Sequence, residues 1–507
     1  MTLPNSTAPQ TFDLLIVGGG VNGAGIARDA AGRGLSVMLV EQDDLAGHTS
    51  SASTKLIHGG LRYLEYGEFR LVREALIERE RLLGMAPHII RPLRFVLPQS
   101  QSPRPAWLVR LGLFLYDHLG ARGKLPGTES VDLSRSPLGS GLKPDPGRAF
   151  VYSDCWVDDS RLVVLNAMDA AARGARILTR TRLASARAEG NHWLATLEQD
   201  GQERQVRART LINAAGPWVK DVLHRIGKDN SDRGLRLVKG SHVVLPRLYP
   251  GEHAFMLQNP DRRIVFAIPY EDEFTLVGTT DEAWEGPPAK AEISAGEIRY
   301  LCDTVNRYFD RRVTSADIAW SYAGIRPLYE DHARNASAVT RDYVLDLEAN
   351  GNHPPVLSIF GGKITTYRKL AEHAMAQLSG LFPEMGGAWT AGTVLPGGDF
   401  PDADFERFLS DLTARYPLMP ALLLHRIARA YGTKATAWLG PARVPGDLGR
   451  DFGGGLHECE AEYLVREEWA RTAEDILLRR SKLGLHVPRE TSDLLDAWLA
   501  KQCSQCP

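Results

Sequence analysis

Three glycines at the spacing G-x-G-x-x-G (Gly18, Gly20 and Gly23) are followed by an acid, Glu41, at the end of the next apolar run. This combination serves a dinucleotide. Gly18 permits a tight turn, Gly20 lets a pyrophosphate approach the backbone, and Gly23 lets a helix pack closely on a strand. Asn22 lies inside the motif, at a helix N-terminus that faces the phosphates. Glu41 can accept hydrogen bonds from both ribose hydroxyls. Farther along, Ala214-Ala215-Gly216-Pro217-Trp218 and Phe360-Gly361-Gly362-Lys363-Ile364-Thr365 each end an apolar run in small residues. Between them stand His242, after Gly240-Ser241, and Arg326, between Gly324 and Pro327. An imidazole titrates near working pH and can take a proton. A guanidinium binds a tetrahedral oxyanion through two parallel hydrogen bonds. Each also has a structural reading: a hydrogen-bonded core histidine, a solvated arginine or, for Arg341, a pair with Asp342.

The elements that must hold these residues are legible around them. Residues 12–17 read as a buried strand, 24–33 as a helix stopped by Gly34, and 35–40 as a second strand. Residues 211–213 end another buried strand, far outside that strand–helix–strand unit. Residues 356–360 form a third, and a helix from Thr365 would aim its positive end at a ligand. That end, with Lys363, can stabilise negative charge at the N1 and O2 edge of a reduced flavin. A nicotinamide enzyme needs no such feature, so the dinucleotide is read as FAD. Residues 263–269 and 274–278 predict a hairpin around an acidic turn. Residues 421–431 and 460–483 have helical spacing and end at Gly432 and Gly484.

With 507 residues the chain exceeds one ordinary core, so two or three domains are expected. A formal charge of -2 gives no sign of nucleic-acid binding. Five cysteines at irregular spacing argue for a reducing, cytoplasmic compartment. Cys503 and Cys506 form a terminal C-x-x-C without a partner pair, and are read as tail thiols. The polar N-terminus does not fit an ordinary signal peptide, and no apolar run reaches the roughly 18 to 20 residues of a spanning helix. Residues 104–124 instead set Trp107, Leu111, Phe114, Leu115 and His118 at helical spacing among Arg104, Arg110, Arg122 and Lys124. Such a basic amphipathic segment suits an anionic membrane surface, or a core face with snorkelling arginines.

The runs around Ser50-Ser51-Ala52-Ser53-Thr54-Lys55, His58-Gly59-Gly60-Leu61-Arg62-Tyr63, Ser153-Asp154-Cys155-Trp156, Lys239-Gly240-Ser241-His242, Gly278-Thr279-Thr280-Asp281, Gly324-Ile325-Arg326-Pro327 and Phe360-Gly361-Gly362-Lys363 resemble the FAD-dependent glycerol-3-phosphate dehydrogenases, in matching order from about residue 12 to 500. The resemblance implies an α/β plus α architecture: a two-dinucleotide-binding-domain, Rossmann-like FAD fold interleaved with a mixed, largely antiparallel substrate sheet, plus a C-terminal helical domain. Its expected extents are 12–388, with FAD segments 12–85, 155–225 and 350–388 and substrate segments 86–154 and 226–349, then 389–507. It implies oxidation of glycerol 3-phosphate to dihydroxyacetone phosphate, with electrons passed to ubiquinone or menaquinone. His242, Arg326 and Lys363 are the expected catalytic residues. Arg62, Tyr63, Arg326, Arg341 and Lys363 are expected on the substrate. The non-covalent FAD is expected on Gly18, Gly20, Asn22, Gly23, Glu41, Ser50, Ser51, Thr54, His58, Gly59, Ala215, Gly216, Gly361, Gly362, Lys363 and Thr365; no metal is expected. A homodimer on the cytoplasmic face of the inner membrane completes the expectation. His48 departs from the family pattern, but a loop histidine near the pyrophosphate is poorly placed to bond the flavin covalently. An oxygen-using oxidase, an amine or amino-acid oxidase, and a flavin-binding protein with vestigial chemistry are the competing readings.

Overall fold

The computed structural model describes residues 9–505 except 121–122, 124, 229–233, 331–341 and 350–352; side chains are also left undescribed at Glu330 and 503–505. Two sheets carry the architecture. The first runs in the order Val344–Glu348, Val356–Phe360, Gln202–Asn213, Gln10–Val17, Val37–Val40, Arg176–Leu178. All neighbours are parallel except the first pair. Its strands are near-continuous apolar runs because both faces are covered. The helices Val21–Gly32, Asp159–Ala172 and Tyr367–Leu378 bury Ile26, Ala27, Val163 and Ala371 against Leu14 and Ile16. The helix expected from Thr365 begins two residues later, at Tyr367.

Register decides where the site lies. Val17 is opposite both Val40 and Asn213, and Asn213 is opposite Ser358. The carboxyl ends of four strands therefore share one edge, so the loops after Val17, Val40, Asn213 and Phe360 converge there. Ligands of open parallel sheets bind at that edge.

The second sheet has ten strands, and the pairing of Ala254–Gln258 with Ile90–Pro98 is its parallel contact among the described residues. The expected hairpin is present as Ile264–Tyr270 and Phe274–Gly278, an antiparallel pair. Gly234–Pro246 lies between Phe274–Gly278 and Trp320–Glu330, which sets His242 opposite both Gly278 and Tyr322 and Val238 opposite Arg326. Chain segments cross between layers: Leu56–Ile57 pairs in this second sheet, and Val344–Glu348 in the first.

The C-terminal region is helical around Leu424, Ile427, Leu464 and Ile476. Ala421–Tyr431 forms as expected and ends at Gly432. Residues 460–483 are not one helix. Glu458–Glu468 stops at Trp469, whose φ of 57° is left-handed, and a π-helical turn follows over Asp475–Arg480. Buried ion pairs account for the break: Glu468 holds Arg161, Arg480 reaches Asp44 at 2.6 Å, and Asp475 takes Arg180 at 2.8 Å. A straight helix could not deliver these partners to the nucleotide-binding layer.

Candidate active site

A cavity of about 350 Å³ opens at the shared strand edge and continues under the second sheet. One end is a dinucleotide cradle. Gly18 has a φ of +116°, and a Cβ there would stand 2.5 Å from the Ala214 carbonyl oxygen. A Cβ on Gly23 would meet the Gly18 carbonyl oxygen at 1.9 Å, so the close helix–strand contact read from the motif is real. Glu41 accepts from Gly19 N–H at 2.6 Å and from Asp43 N–H at 2.9 Å. Burial pushes its carboxyl upward, and those two N–H groups oppose the shift. The Ser50 hydroxyl accepts from Val21 N–H at 3.0 Å at the start of the helix. Asn22 donates to the Gly361 carbonyl at 3.1 Å, tying the first loop to the last, while its own Oδ1 is buried without a protein partner. An orphaned buried acceptor beside a glycine cradle fits a dinucleotide that brings hydrogen-bond donors.

Ala215, Gly216, Gly362, Thr54, His58 and Thr365 also line this cavity. His58 N–H donates to Thr365 Oγ1 at 3.2 Å, and burial holds the His58 ring below its ordinary range, against the pull of Asp154. His48 sits on Asp43 at 2.7 Å and beside Trp218, with ring centroids 4.6 Å apart.

At the other end, the second sheet supplies His242 and Arg326, and the loop after Val356–Phe360 of the first sheet supplies Lys363. His242 is buried, its Nε2 is 3.0 Å from Thr54 Oγ1, and its ring is stacked 4.8 Å from Tyr322. Burial first, then the cations of Lys55 and Arg326, hold its imidazole well below the usual histidine range, so it is neutral. Arg326 donates to the Thr280 carbonyl at 2.9 Å and pairs with Asp281 at 2.7 Å, with its side chain 40% exposed. Lys363 places its ammonium 4.0 Å from the Tyr63 ring centre.

Four expected residues lie elsewhere. Ser51 donates to the His48 carbonyl, and Gly59 packs against Leu76 and Tyr116. Arg62 is off the cavity wall with a buried Nε lacking a partner, and Gly23 acts only through packing. Arg341 falls outside the described residues, as do Arg122, Lys124 and Cys506.

Two features escaped the sequence reading. Thr279 lines the cavity, and a Cβ on Gly240 would meet both Thr279 Oγ1 at 2.7 Å and Arg326 Nη2 at 2.5 Å. Its signal was present in the Gly278-Thr279-Thr280-Asp281 run, but a threonine offers no charge to single it out. The second is a buried pair behind the site: Lys55 Nζ lies 2.9 and 3.0 Å from the Asp159 oxygens. Nothing local distinguishes those two residues from surface charges.

Residues 13–368 match the family described as FAD dependent oxidoreductase, and residues 388–500 match the C-terminal domain of alpha-glycerophosphate oxidase. The chain is 55% identical to D-erythritol 1-phosphate dehydrogenase of Brucella abortus, covering 94% of this chain and 96% of that one. It is also 55% identical to glycerol-3-phosphate dehydrogenase of Pseudomonas aeruginosa, covering 96% and 94%. Among solved structures, the glycerol-3-phosphate dehydrogenase of Bacillus halodurans complexed with FAD superimposes with a TM-score of 0.78 at 26% identity, over 97% of this chain and 91% of that one. The cradle and the relatives agree on FAD as the cofactor.

Proposed function

The chain belongs to the FAD-dependent oxidoreductase family, among the glycerol-3-phosphate dehydrogenases, and from that premise we propose that it oxidises the C2 carbinol of sn-glycerol 3-phosphate to dihydroxyacetone phosphate. One observation carries the reading: a neutral imidazole lies beside Arg326 on the wall of a cavity that also holds Lys363 and the dinucleotide cradle. Arg326, released from Asp281, takes the phosphate dianion, and Lys363 adds charge beside Tyr63. His242 takes the hydroxyl proton. Bound FAD supplies the hydride acceptor. It is held non-covalently, since His48 is engaged by Asp43 and Trp218. Gly361, Gly362 and Lys363 lie between Val356–Phe360 and the helix Tyr367–Leu378, where Lys363 and the helix N-terminal side would stabilise negative charge on the reduced cofactor.

The electron acceptor in this proposal is a membrane quinone, ubiquinone or menaquinone, reached from the cytoplasmic face of the inner membrane, with the chain acting as a homodimer of subunits divided near residue 388. The helix Ala106–Leu119 supports the membrane contact. It buries Val109, Leu113 and Tyr116, and leaves Trp107 at 69%, Leu111 at 48% and Phe114 at 56% exposure on the outer side with Arg110. Among the described residues no helix is long and apolar enough to cross a membrane. An interfacial helix of this kind binds through apolar area and attraction to anionic lipid. Trp107→Ser combined with Phe114→Ser is expected to weaken binding to phosphatidylglycerol vesicles by at least about tenfold, at ~25 cal/mol per Å² of lost apolar burial. Turnover with a soluble dye acceptor should not change. Co-sedimentation with vesicles measures the first, and equal partitioning of variant and parent removes this helix from the membrane contact.

A second substrate has a specific claim. D-Erythritol 1-phosphate shares the phosphate and a secondary carbinol, and a relative bearing that name is as similar as the glycerol-3-phosphate dehydrogenase. The testing experiment is an anaerobic titration with each phosphate, followed by a quinone analogue and then air. Glycerol 3-phosphate is expected to bleach the flavin band with the higher kcat/KM, the quinone to restore it quickly, and air slowly. Preference for erythritol 1-phosphate reassigns the substrate, fast recovery in air makes the enzyme an oxidase, and no bleaching by either ends the proposal.

A further inference from the structure

The C-terminal domain has no surface on the cavity: among the described residues the wall ends at Thr365. It nevertheless grips the loop that carries Glu41, the acid of the dinucleotide motif. Residues 40–42 and 46–50 line the cavity, and Asp44 stands between them, buried and off the wall. The loop packs directly on the glycine turn. Glu41 Cβ and Leu45 Cδ2 occupy the space that a Cβ on Gly19 would need, at 2.8 and 2.9 Å, and Ala46 N–H donates to the Gly19 carbonyl at 3.1 Å. A shift of this loop therefore moves Glu41 off the turn it faces.

Among the described residues, both oxygens of Asp44 take their hydrogen bonds from the C-terminal domain. Arg480 donates from Nη1 to Oδ2 at 2.6 Å and from Nη2 to Oδ1 at 2.8 Å, and Arg479 donates from Nε to Oδ2 at 2.6 Å. Consecutive residues of an α-helix point about 100° apart. The π-helical turn over Asp475–Arg480 instead brings both guanidinium groups to one carboxylate. Arg180 completes the joint from the nucleotide-binding layer. Its N–H donates to the Asp43 carbonyl at 2.9 Å, and its guanidinium donates to both oxygens of Asp475 at 2.8 Å, where Arg479 also donates at 2.6 Å. Arg480 and Asp475 are fully buried and Asp44 is 2% exposed. Removing one partner from such a pair strands a buried charge, so the loop must move to bring Asp44 to water.

We propose that the C-terminal domain retains the cofactor: Arg479 and Arg480 are positioning residues that act through Asp44 to hold residues 41–48 in the conformation that binds FAD. This role is independent of which phosphorylated polyol is oxidised. Its energetic route is a shift of population. A loop held in one conformation binds with its intrinsic affinity; a freed loop that spends about a tenth of its time there binds with a Kd about tenfold higher. Linkage requires the converse, so bound FAD stabilises the joint and slows the opening of Asp475–Arg480.

Serial dilution of the full-length holoenzyme, with released flavin read by its fluorescence, measures Kd. Arg480→Met is expected to raise Kd for FAD by at least about tenfold, and Arg479→Met by about three- to tenfold, because in the latter Arg480 still holds both oxygens. Arg426→Met is the control. Arg426 forms a two-pronged pair with the buried Glu460 at 2.7 Å and donates to the Gly455 carbonyl, all within the C-terminal domain. Its loss should lower the melting temperature and leave Kd parental. A rise in Kd as large in Arg426→Met as in Arg480→Met means that general loosening of the domain releases FAD, and overturns the proposal. So does a parental Kd in both Arg479→Met and Arg480→Met; if Arg480→Met does not fold, a parental Kd in Arg479→Met alone overturns it. Hydrogen exchange gives the reciprocal readout. In the parent, FAD is expected to slow exchange of the Asp475–Arg480 amides by at least about threefold, and in Asp44→Asn at saturating FAD that slowing should be lost. No slowing in the parent, or equal slowing in both, overturns the coupling between the domain and the cofactor.

Discussion

Arg326→Ala is expected to raise KM for the phosphorylated substrate by about two to three orders of magnitude while FAD remains bound. The guanidinium lies on the cavity wall, and its partners are a carbonyl at Thr280 and the exposed carboxylate of Asp281. A phosphate dianion can displace that carboxylate and take two parallel N–H bonds, each charge-assisted and contributing roughly 1.5–3 kcal/mol. Removing both bonds accounts for the predicted range. Arg326→Lys keeps the charge but not the fork, so it should recover only part of the affinity. Asp281→Asn tests the same exchange from the other side: with its competitor neutralised, Arg326 should bind phosphate more tightly and KM should fall by a few-fold. Steady-state kinetics with the flavin content of each variant measured by absorbance separates substrate binding from cofactor loss. An unchanged KM in Arg326→Ala would transfer the phosphate to Lys363.

The parts of this site that the sequence exposes are those whose chemistry is local along the chain. Gly18, Gly20, Gly23 and Glu41 fall within one strand–helix–strand unit, and each is needed for a contact that only its residue type can make. The strand ends at Asn213 and Phe360 are legible for the same reason, and parallel register then forces their loops together. His242 and Arg326 can be named by type, but their meeting depends on a register that sets Val238 against Arg326 and His242 against Tyr322. No periodicity records that pairing. Lys55, Asp159 and Lys482 come from three separate regions and become one cluster only through tertiary packing. The apparent helix over 460–483 shows the same limit from the other side. Its spacing is helical, yet long-range ion pairs to Asp44, Arg161 and Arg180 override the local preference and bend the chain.

His242→Gln should affect a different step. Flavin reduction is expected to slow by about 10² to 10⁴, the range for a positioned general base, with KM nearly unchanged because the phosphate contacts remain. The pH dependence distinguishes this from a structural defect. Burial, Lys55 and Arg326 hold the imidazole well below its ordinary 6.5 in the free enzyme, so the neutral, proton-accepting form persists above that pH and for some way below it. The acid limb of kcat/KM in the parent should therefore lie below pH 6.5. A bound phosphate dianion beside Arg326 offsets one of the depressing cations, so the acid limb of kcat should lie at higher pH than that of kcat/KM. The same depression has a consequence for stability. Below pH 6.5 the unfolded chain binds a proton at this histidine that the folded chain refuses, so its contribution is complete above that pH and declines as pH falls. In His242→Gln both the acid limb and this share of the pH-dependent melting should disappear together. Rapid-scan reduction and melting across pH 5 to 8 supply the two readouts. A variant that reduces its flavin at the parental rate leaves His58, a half-buried imidazole on the cavity wall, to take the proton, with Asp154 near enough to stabilise the charge.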